Sequence, residues 1–318
     1  MTPSSQSDAS TERLPLTHRP LFNKILLTIV AVMWGLSFVV MKDLVNKMPV
    51  FWLLAERFIL TSIVLMLIVL LVSRDSLRDR RLLKLGLLLG LTNFAAYAIQ
   101  TVGLSITTAG KNSFFSMCYC VMTPFAMWIV ARQRPTLRHV GAALMCMAGV
   151  GLIALDGVVG FNLGDALSLV SAACYALMYS CVAKWGEGVD VLGVTAVEFA
   201  VMGIASTVCA LIFAPGYTPG MLEPADLGAM AFLVLICSCF NFCALNHAMT
   251  YVDPSEGAIL VALEAPFGVM SAVLFFGEVL TLKVVAGFAL IFGAVVVSET
   301  GNEPQEQEPD ASVELANS

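Results

Sequence analysis

Charged residues are scarce in this sequence, and their scarcity excludes an ordinary soluble domain. Asp, Glu, Lys and Arg make up only 13% of its 318 residues, against roughly 25% in soluble domains. Hydrophobic residues reach 58% and the mean hydropathy is +0.87, which is more apolar surface than a soluble core can absorb without exposing large patches. We therefore expect an all-α polytopic membrane protein, with the lipid bilayer as its surroundings.

Sequence signatures of catalysis and of nucleotide hydrolysis are missing. The chain contains no G-x-x-x-x-G-K-[ST], so ATP-driven pumping has no support in it. H-E-x-x-H and G-x-S-x-G are also absent, and "LGDA" (163–166) is not the double-glycine aspartate motif of intramembrane proteases. The sequence context of the three histidines assembles no metal site. We expect no enzyme, no cofactor, no metal and no nucleic-acid partner.

The nine cysteines all fall in apolar runs, where small buried hydrophobic side chains are expected. The pairs Cys118/Cys120 and Cys237/Cys239 have a spacing that points to different faces of a helix. No disulfide framework is implied, so cysteine usage leaves the redox compartment open.

Ten apolar runs are long enough to cross a bilayer. If the N-terminus is cytoplasmic, an even number of spans places the C-terminus there too, and the positive-inside rule supports this orientation. The cytoplasmic segments then hold twelve of the basic residues, and the outer segments hold only Lys42, Lys47, Lys111 and Lys283. The predicted spans cover 23–43, 50–72, 82–103, 109–130, 138–156, 164–184, 192–214, 227–250, 254–277 and 280–299.

An internal repeat runs through these spans. An offset of 145 residues pairs 103–119 with 248–264, and an offset of 141 pairs "WGLSF" (34–38) with "YALMY" (175–179). Each half holds five predicted helices, an odd number, so the second half enters the membrane from the opposite side. Two inverted five-helix repeats are typical of secondary transporters, whose substrate site lies at the repeat interface near mid-membrane.

Several short segments resemble the EamA-type transporters of the drug/metabolite superfamily. They are "WGLSF" with "AERF" (55–58), "TTAGKNSFFSMCYCVMTPF" (107–125), "GDALSLVSAACYALMY" (164–179), "LEAP" (263–266) and "FFGEVLT" (275–281). The resemblance implies EamA-like repeats over 23–157 and 161–299. It leaves a cytoplasmic tail at 1–22 and an acidic one at 300–318, both expected to be disordered. It also implies export of small metabolites across a bacterial inner (plasma) membrane.

Within the predicted ninth span, Glu264 is the residue with the highest free-energy cost of membrane insertion. An acidic side chain at the centre of a membrane helix costs roughly 2.5–3.5 kcal/mol on insertion scales. Its helical neighbours Gly257, Gly268 and Ser271 are small, which suits a crowded interior face. We expect a functional carboxyl that holds a substrate amine or carries a coupling proton.

Polar and aromatic stripes on other spans complete a candidate substrate site. At the 145-residue offset, the face of the fourth span that corresponds to Glu264 carries Asn112, Ser116, Tyr119 and Thr123. The remaining candidates are Trp34 on the first span, Asn93, Tyr97 and Gln100 on the third, Tyr175 and Tyr179 on the sixth, and Asn241 on the eighth. Lipid-facing positions do not tolerate such stripes, but hydrogen bonding between helices without any substrate would also account for them.

The predicted function is therefore secondary-active export of a small amphipathic metabolite such as an amino acid. An importer, a nucleotide-sugar-type exchanger and, more distantly, a non-transporting receptor or scaffold stay open as alternatives. Arg57 is interpreted as a structural residue that pairs with Glu56 or reaches the outer interface. Lys111 and Glu256 occupy matching repeat positions and are interpreted as helix-end or gate residues. Substrate identity, coupling ion and the choice between monomer and homodimer are left undecided.

Overall fold

The structure of this chain, a computed structural model, describes residues 15–107, 109–154, 161–218, 223–276 and 281–299. Regular elements in these ranges are all helical, which confirms the predicted all-α class. Most of the two predicted tails lies outside the described residues. Of the first tail, only a 3₁₀ helix at Leu16–His18 and the start of the first long helix are described.

The described part of the first half forms six α-helices, with a short 3₁₀ helix at Arg74–Arg78 between the second and the third. They are α1 Pro20–Lys47, α2 Val50–Val72, α3 Arg80–Ile106, α4 Ala109–Ser116, α5 Tyr119–Ala131 and α6 Leu137–Ala154. Their caps follow ordinary chemistry: Asp79 accepts a hydrogen bond from the Arg81 amide and caps α3.

The second half forms seven α-helices and one π-helical segment. They are α7 Leu163–Trp185, α8 Val191–Phe213, α9 Pro224–Ala231, α10 Asn241–Ala248, α11 Pro254–Val261, α12 Glu264–Phe276 and α13 Leu282–Glu299. The π-helix Phe232–Phe240 joins α9 to α10. Asn162 and Asp165 form a reciprocal capping box at the start of α7.

Length and composition support a multi-pass membrane protein. Seven helical stretches of the described chain are long and apolar enough to cross a membrane, and two shorter apolar helices cover 137–152 and 282–298. Large apolar side chains on the outer faces are exposed, for example Leu71 at 86% and Ile129 at 72%. The described helices occur at the ten expected places, but the count of ten crossings stays a prediction.

The helix boundaries repeat along the chain. α4, α5 and α6 begin and end 145 residues before α11, α12 and α13, respectively. α2 and α8 are related in the same way by 141 residues. The two offsets differ because the connections between spans differ in length. The paired helices themselves have equal lengths in the two halves.

Two of the predicted spans are interrupted, contrary to the sequence-based expectation of single helices at 109–130 and 254–277. α4 gives way to α5 at Met117–Cys118, and α11 gives way to α12 at Ala262–Leu263. At both breaks, backbone hydrogen bonds join residues three apart instead of four apart, such as Ala265 N–H to the Ala262 carbonyl at 3.2 Å. Pro266 has no N–H with which to bond that carbonyl, which favours the break before α12.

Helix α1 crosses α12 at very close range beside Glu264. A Cβ atom added at Gly35 would lie 2.9 Å from the Glu264 carbonyl oxygen and 2.8 Å from the Gly268 nitrogen. Glycine at position 35 therefore allows the backbone of the first half to approach the start of α12. This contact fixes the position of Glu264 relative to the first half of the chain.

Candidate functional site

Glu264 is the first residue of α12 and lies near the middle of the stretch 254–276. Its side chain is half-buried, and no described side chain forms a hydrogen bond or an ion pair with its carboxyl group. It does act electrostatically on four phenol groups, those of Tyr97, Tyr119, Tyr175 and Tyr179. These four tyrosines, all predicted as site residues, therefore lie within electrostatic range of the carboxyl that the sequence singled out.

The tyrosines belong to a continuous aromatic cluster. Tyr119 packs edge-on against Tyr179 and Tyr175 at centroid distances of 5.4 and 6.2 Å, and Tyr175 packs against Tyr97 at 5.8 Å. Phe242 lies 6.4 Å from Tyr97 and 5.3 Å from Trp34. The cluster joins helices of both halves of the chain and offers apolar walls with several hydroxyl groups.

Trp34 lies at one end of this cluster. Its indole N–H donates a hydrogen bond of 3.0 Å to the Cys237 carbonyl, which belongs to the π-helical segment. A π-helix frees some carbonyls from their ordinary partners, and this one is satisfied by a side chain of the first half. The bond fixes the indole ring against Phe242.

Arg57 is the residue of this site that sequence reasoning missed. Its side chain is 3% exposed, its Nε donates to Ser238 Oγ at 2.8 Å, and its guanidinium carbon lies 6.0 Å from the Tyr97 ring centre. The sequence-based interpretation, a structural pair with Glu56 or a position at the outer interface, did not foresee a buried side chain beside Tyr97. The sequence did contain a signal for this burial, because Arg57 lies two turns into an apolar helix. The adjacent Glu56 suggested an ion pair between neighbours instead.

Arg57 and Glu264 both lie near the pair of rings formed by Tyr97 and Tyr175. Both act electrostatically on Tyr97 and on Tyr175, yet no ion pair between them occurs in the described structure. The site thus presents one basic and one acidic group beside the same aromatic rings. Such an arrangement can bind a small molecule that carries both charges.

A hydroxyl- and amide-lined group lies next to the tyrosines. Gln100 Oε1 accepts a hydrogen bond of 2.8 Å from the Tyr175 hydroxyl. Asn112 donates to the Gln100 carbonyl at 2.9 Å and to Ser168 Oγ at 2.8 Å. Ser116 Oγ lies 3.5 Å from Ser171 Oγ. These bonds tie α3 and α4 to α7, so Asn112 and Ser116 contribute to helix–helix contacts.

The remaining predicted site residues are fully buried in contacts between or within helices. The Thr123 hydroxyl donates to the Tyr119 carbonyl of its own helix at 2.7 Å. Asn241 donates to the Val30 carbonyl on α1 at 3.3 Å, and Asn93 donates to Glu198 at 2.9 Å. The structure therefore places these three beside, rather than among, the groups that surround Glu264.

Glu256 lies apart from this site, at the end where α1, α6 and α11 begin. It is 1% exposed and lies 3.2 Å from Lys24 Nζ, with Arg138 and His139 at 3.9 Å. The side chain of Lys111, its repeat counterpart, lies outside the described residues. No group of three or more His, Cys, Asp or Glu in the described chain could hold a metal ion.

The helices and this internal acid–base site define a polytopic α-helical membrane protein with a duplicated architecture. A family model described as the EamA-like transporter family matches residues 22–155 and again residues 162–300. The chain belongs to this family, which is part of the drug/metabolite transporter superfamily.

Individual relatives agree with this assignment. An "uncharacterized transporter" of Archaeoglobus fulgidus is 26% identical over 86% of this chain and 84% of its own. The "uncharacterized transporter YvbV" of Bacillus subtilis is 22% identical over 92% of this chain and 95% of its own. A crystal structure aligns with a TM-score of 0.73 at 18% identity, over 87% of this chain and 96% of that one, which shows a shared fold.

Proposed function

We propose that the protein is a secondary-active transporter that exports small zwitterionic metabolites, amino acids among them, across a bacterial inner membrane. The observation that carries the proposal is that Arg57 and Glu264 both lie within electrostatic range of the Tyr97–Tyr175 pair without forming an ion pair with each other. The family and its transporter-named relatives support a transporter rather than an enzyme. Export, rather than import, follows the resemblance of the chain to metabolite exporters.

The charges of the site match a zwitterion. The Glu264 carboxylate suits an ammonium group, and the Arg57 guanidinium suits a carboxylate. Between them, the tyrosine rings and Phe242 provide apolar contacts for a side chain of the substrate. An anionic sugar nucleotide would need several basic groups, and Arg57 is the one such residue that the described structure places among these rings.

The surroundings of the Glu264 carboxyl favour a role in binding and releasing a cation. Burial disfavours the charged carboxylate, and no described side chain compensates it. A substrate ammonium or a proton would supply the missing positive charge. Movement of the two repeats around this group would then expose it first to one side of the membrane and then to the other.

Transport by the purified full-length protein in liposomes tests the proposal. A panel of amino acids, sugars and nucleotides is measured for counterflow and for accumulation, with and without an imposed proton gradient. We expect counterflow of one or more zwitterions and none of the sugar nucleotides. A protein that carries only anionic sugars, or carries nothing in either direction, would contradict the proposal.

Glu264→Gln isolates the carboxyl. The amide keeps the shape and lowers the insertion cost, so expression should stay normal or rise while zwitterion transport collapses. Glu187→Gln is the matched control, because Glu187 is exposed in the connection between α7 and α8 and should transport like the wild type. Wild-type rate and pH dependence in Glu264→Gln would show that the carboxyl serves only as a hydrogen-bonding strut.

A further inference from the structure

A second carboxyl, that of Glu198 on α8, is buried outside the cluster around Glu264. It is 0% exposed and lies about a third of the way along its helix. Asn93 Nδ2 donates to one carboxyl oxygen at 2.9 Å and Asn246 Nδ2 donates to the other at 2.8 Å. No lysine, arginine or histidine of the described chain forms an ion pair with it. An ionised carboxylate buried without a counter-charge costs several kcal/mol.

The two asparagines can hydrogen-bond to Glu198 in either of its protonation states. Asn93 Oδ1 and Asn246 Oδ1 are both buried, and neither accepts a hydrogen bond from any described group. Rotating an asparagine amide by about 180° exchanges its N–H donors for its oxygen acceptor. A protonated Glu198 would then donate its O–H to an amide oxygen, so the network stays hydrogen-bonded with or without the proton.

Few ionisable groups face Glu198 from the helices packed around it. Tyr97 on α3 and Cys243 on α10 are within electrostatic range. The charged residues of α2 are Glu56 and Arg57, and the Arg57 guanidinium is bonded to Ser238 and Met41 instead. No described neighbour therefore supplies the cation that an ionised Glu198 would need.

A small cavity borders this network at one end of the helices. A cavity of about 10 Å³ borders Asn246, and the ends of α3, α7 and α8 form the rest of its wall. This volume is about that of one water molecule. Its wall is otherwise apolar, with Leu89, Val182 and Val194 among the lining residues.

The network also bridges the two halves of the chain next to the substrate site. Asn93 lies on α3 of the first half, one turn from Tyr97, whereas Glu198 and Asn246 lie on α8 and α10 of the second half. Phe199, which follows Glu198, packs on Phe58 and Phe242 at 5.5 and 5.0 Å. A change in the protonation of Glu198 therefore changes a bond between the halves and acts directly behind the aromatic walls.

We propose that Glu198 is a proton-binding site that carries the coupling proton, while Glu264 holds the substrate ammonium. The step is a simple transfer: a hydronium ion of the water phase gives its proton to a carboxylate oxygen, and no other covalent bond changes. This assignment rests on the proposed transport function. It separates the two roles that sequence reasoning left to Glu264 alone.

Infrared difference spectroscopy of the full-length protein detects the proton without any need for transport. In the Glu264→Gln background, spectra recorded at low and high pH should contain the C=O stretching band of a buried carboxylic acid. Adding Glu198→Gln should remove that band, whereas adding Glu187→Gln should leave it. A band that persists in Glu264→Gln/Glu198→Gln overturns the assignment.

Transport then tests the coupling. Glu198→Gln should keep counterflow within about twofold of the wild type and should lose accumulation driven by a pH gradient by about tenfold or more. Undiminished gradient-driven accumulation overturns the proposal, and so does the loss of counterflow in a folded variant. If the wild type moves no substrate at all, the proposed function fails, and the infrared result still decides whether Glu198 binds a proton.

Asn93→Leu is a second test variant, for use if Glu198→Gln does not fold. It leaves the Glu198 carboxyl in place. Removing one N–H donor weakens the ionised form, so the midpoint of the pH profile of accumulation should move to higher pH. Thr92→Leu, at a partly exposed position one residue away whose hydroxyl bonds only backbone carbonyls of its own helix, is the matched control. An unchanged midpoint in Asn93→Leu contradicts the proposal.

Discussion

Lys24 on α1 and Glu256 on α11 form an ion pair of 3.2 Å between the two halves of the chain, and the glutamate side chain is only 1% exposed. Arg138 and His139 on α6 lie within 3.9 Å of the same carboxyl. At the other end of α1, Lys47 pairs with Asp226 on α9 at 2.7 Å, but the lysine side chain is 45% exposed. Helix α1 is thus bound to the second half at both ends, by one pair that is largely buried and by one whose lysine is exposed although its aspartate is buried.

Glu256→Gln should lower the thermal stability of the purified protein. It leaves two cations beside a neutral group in a buried place, which costs on the order of 3 kcal/mol. Asp226→Asn is the matched control and should cost less than about 1 kcal/mol, because exposed pairs contribute little. Thermal unfolding in detergent compares the two variants. Equal effects would show that burial does not distinguish the pairs.

Arg57→Gln should reduce the affinity for a zwitterionic substrate more than it reduces protein stability. The amide still reaches Ser238, whose hydroxyl is the present partner of Nε, but it carries no charge for a substrate carboxylate. Substrate analogues in which the carboxylate is replaced by an amide should bind wild type and variant alike. Ser238→Ala removes the positioning bond alone, and an affinity loss as large as that of Arg57→Gln would assign the effect to packing.

Tyr119→Phe should leave stability unchanged or slightly higher. The Tyr119 hydroxyl is buried and has no hydrogen-bond partner among the described residues, and an unsatisfied buried group costs roughly 1–3 kcal/mol. If the hydroxyl binds substrate, affinity should fall by about 5- to 100-fold. Tyr175→Phe is the comparison, since it breaks the bond to Gln100 and should be destabilising. A stability loss in Tyr119→Phe without any change in affinity would contradict the role in binding.

Gly35→Ala should disrupt transport and folding, because its Cβ would overlap backbone atoms of α12 at 2.8–2.9 Å. Gly141→Ala on α6 meets no atom within 4 Å and should be neutral or stabilising by a few tenths of a kcal/mol up to about 1 kcal/mol. Expression level and monodispersity of both variants provide the measurement. A normal Gly35→Ala protein would mean that α1 and α12 separate easily.

The orientation of the chain is open to a direct measurement. Because the 74–84 and 132–138 connections carry most of the basic residues, we expect both termini in the cytoplasm. Reporter fusions at Ser318 and within 157–163 should report opposite sides of the membrane. The same side from both fusions would contradict the ten-span arrangement.

Apolar periodicity and length were enough to locate the helices, since membrane spans are long and nearly uncharged. The predicted start and end of 50–72 coincide with those of α2, and other bounds differ by a few residues. The breaks within 109–131 and 254–276 were not predicted. Their residues are as apolar as the rest, and the one local signal, Pro266, is also compatible with a kinked continuous helix.

The candidate site was predicted in part. Spacing identified Glu264 and the tyrosines, because polar groups on one face of a membrane helix stand out against an apolar background. Spacing alone does not say which polar groups face one another, however. The bonding of Asn93 to Glu198 and of Asn112 to Ser168 depends on how α3, α4, α7 and α8 pack. The burial of Arg57 depends on α3 and on the π-helical segment.

The matching breaks before Tyr119 and Glu264 have a consequence for the symmetry of the molecule. α5 and α12 both begin near mid-depth, at equivalent places in the two halves, and each helix start carries a partial positive charge. One start bears a carboxyl group and the other a neutral phenol. Two identical inverted halves would make the inward-open and outward-open states mirror each other with equal free energies. In a transporter of the proposed kind, the exchange of one phenol for one carboxyl would remove that degeneracy, so that the resting orientation of the molecule would be set by how its two halves have diverged rather than by the scaffold that they share.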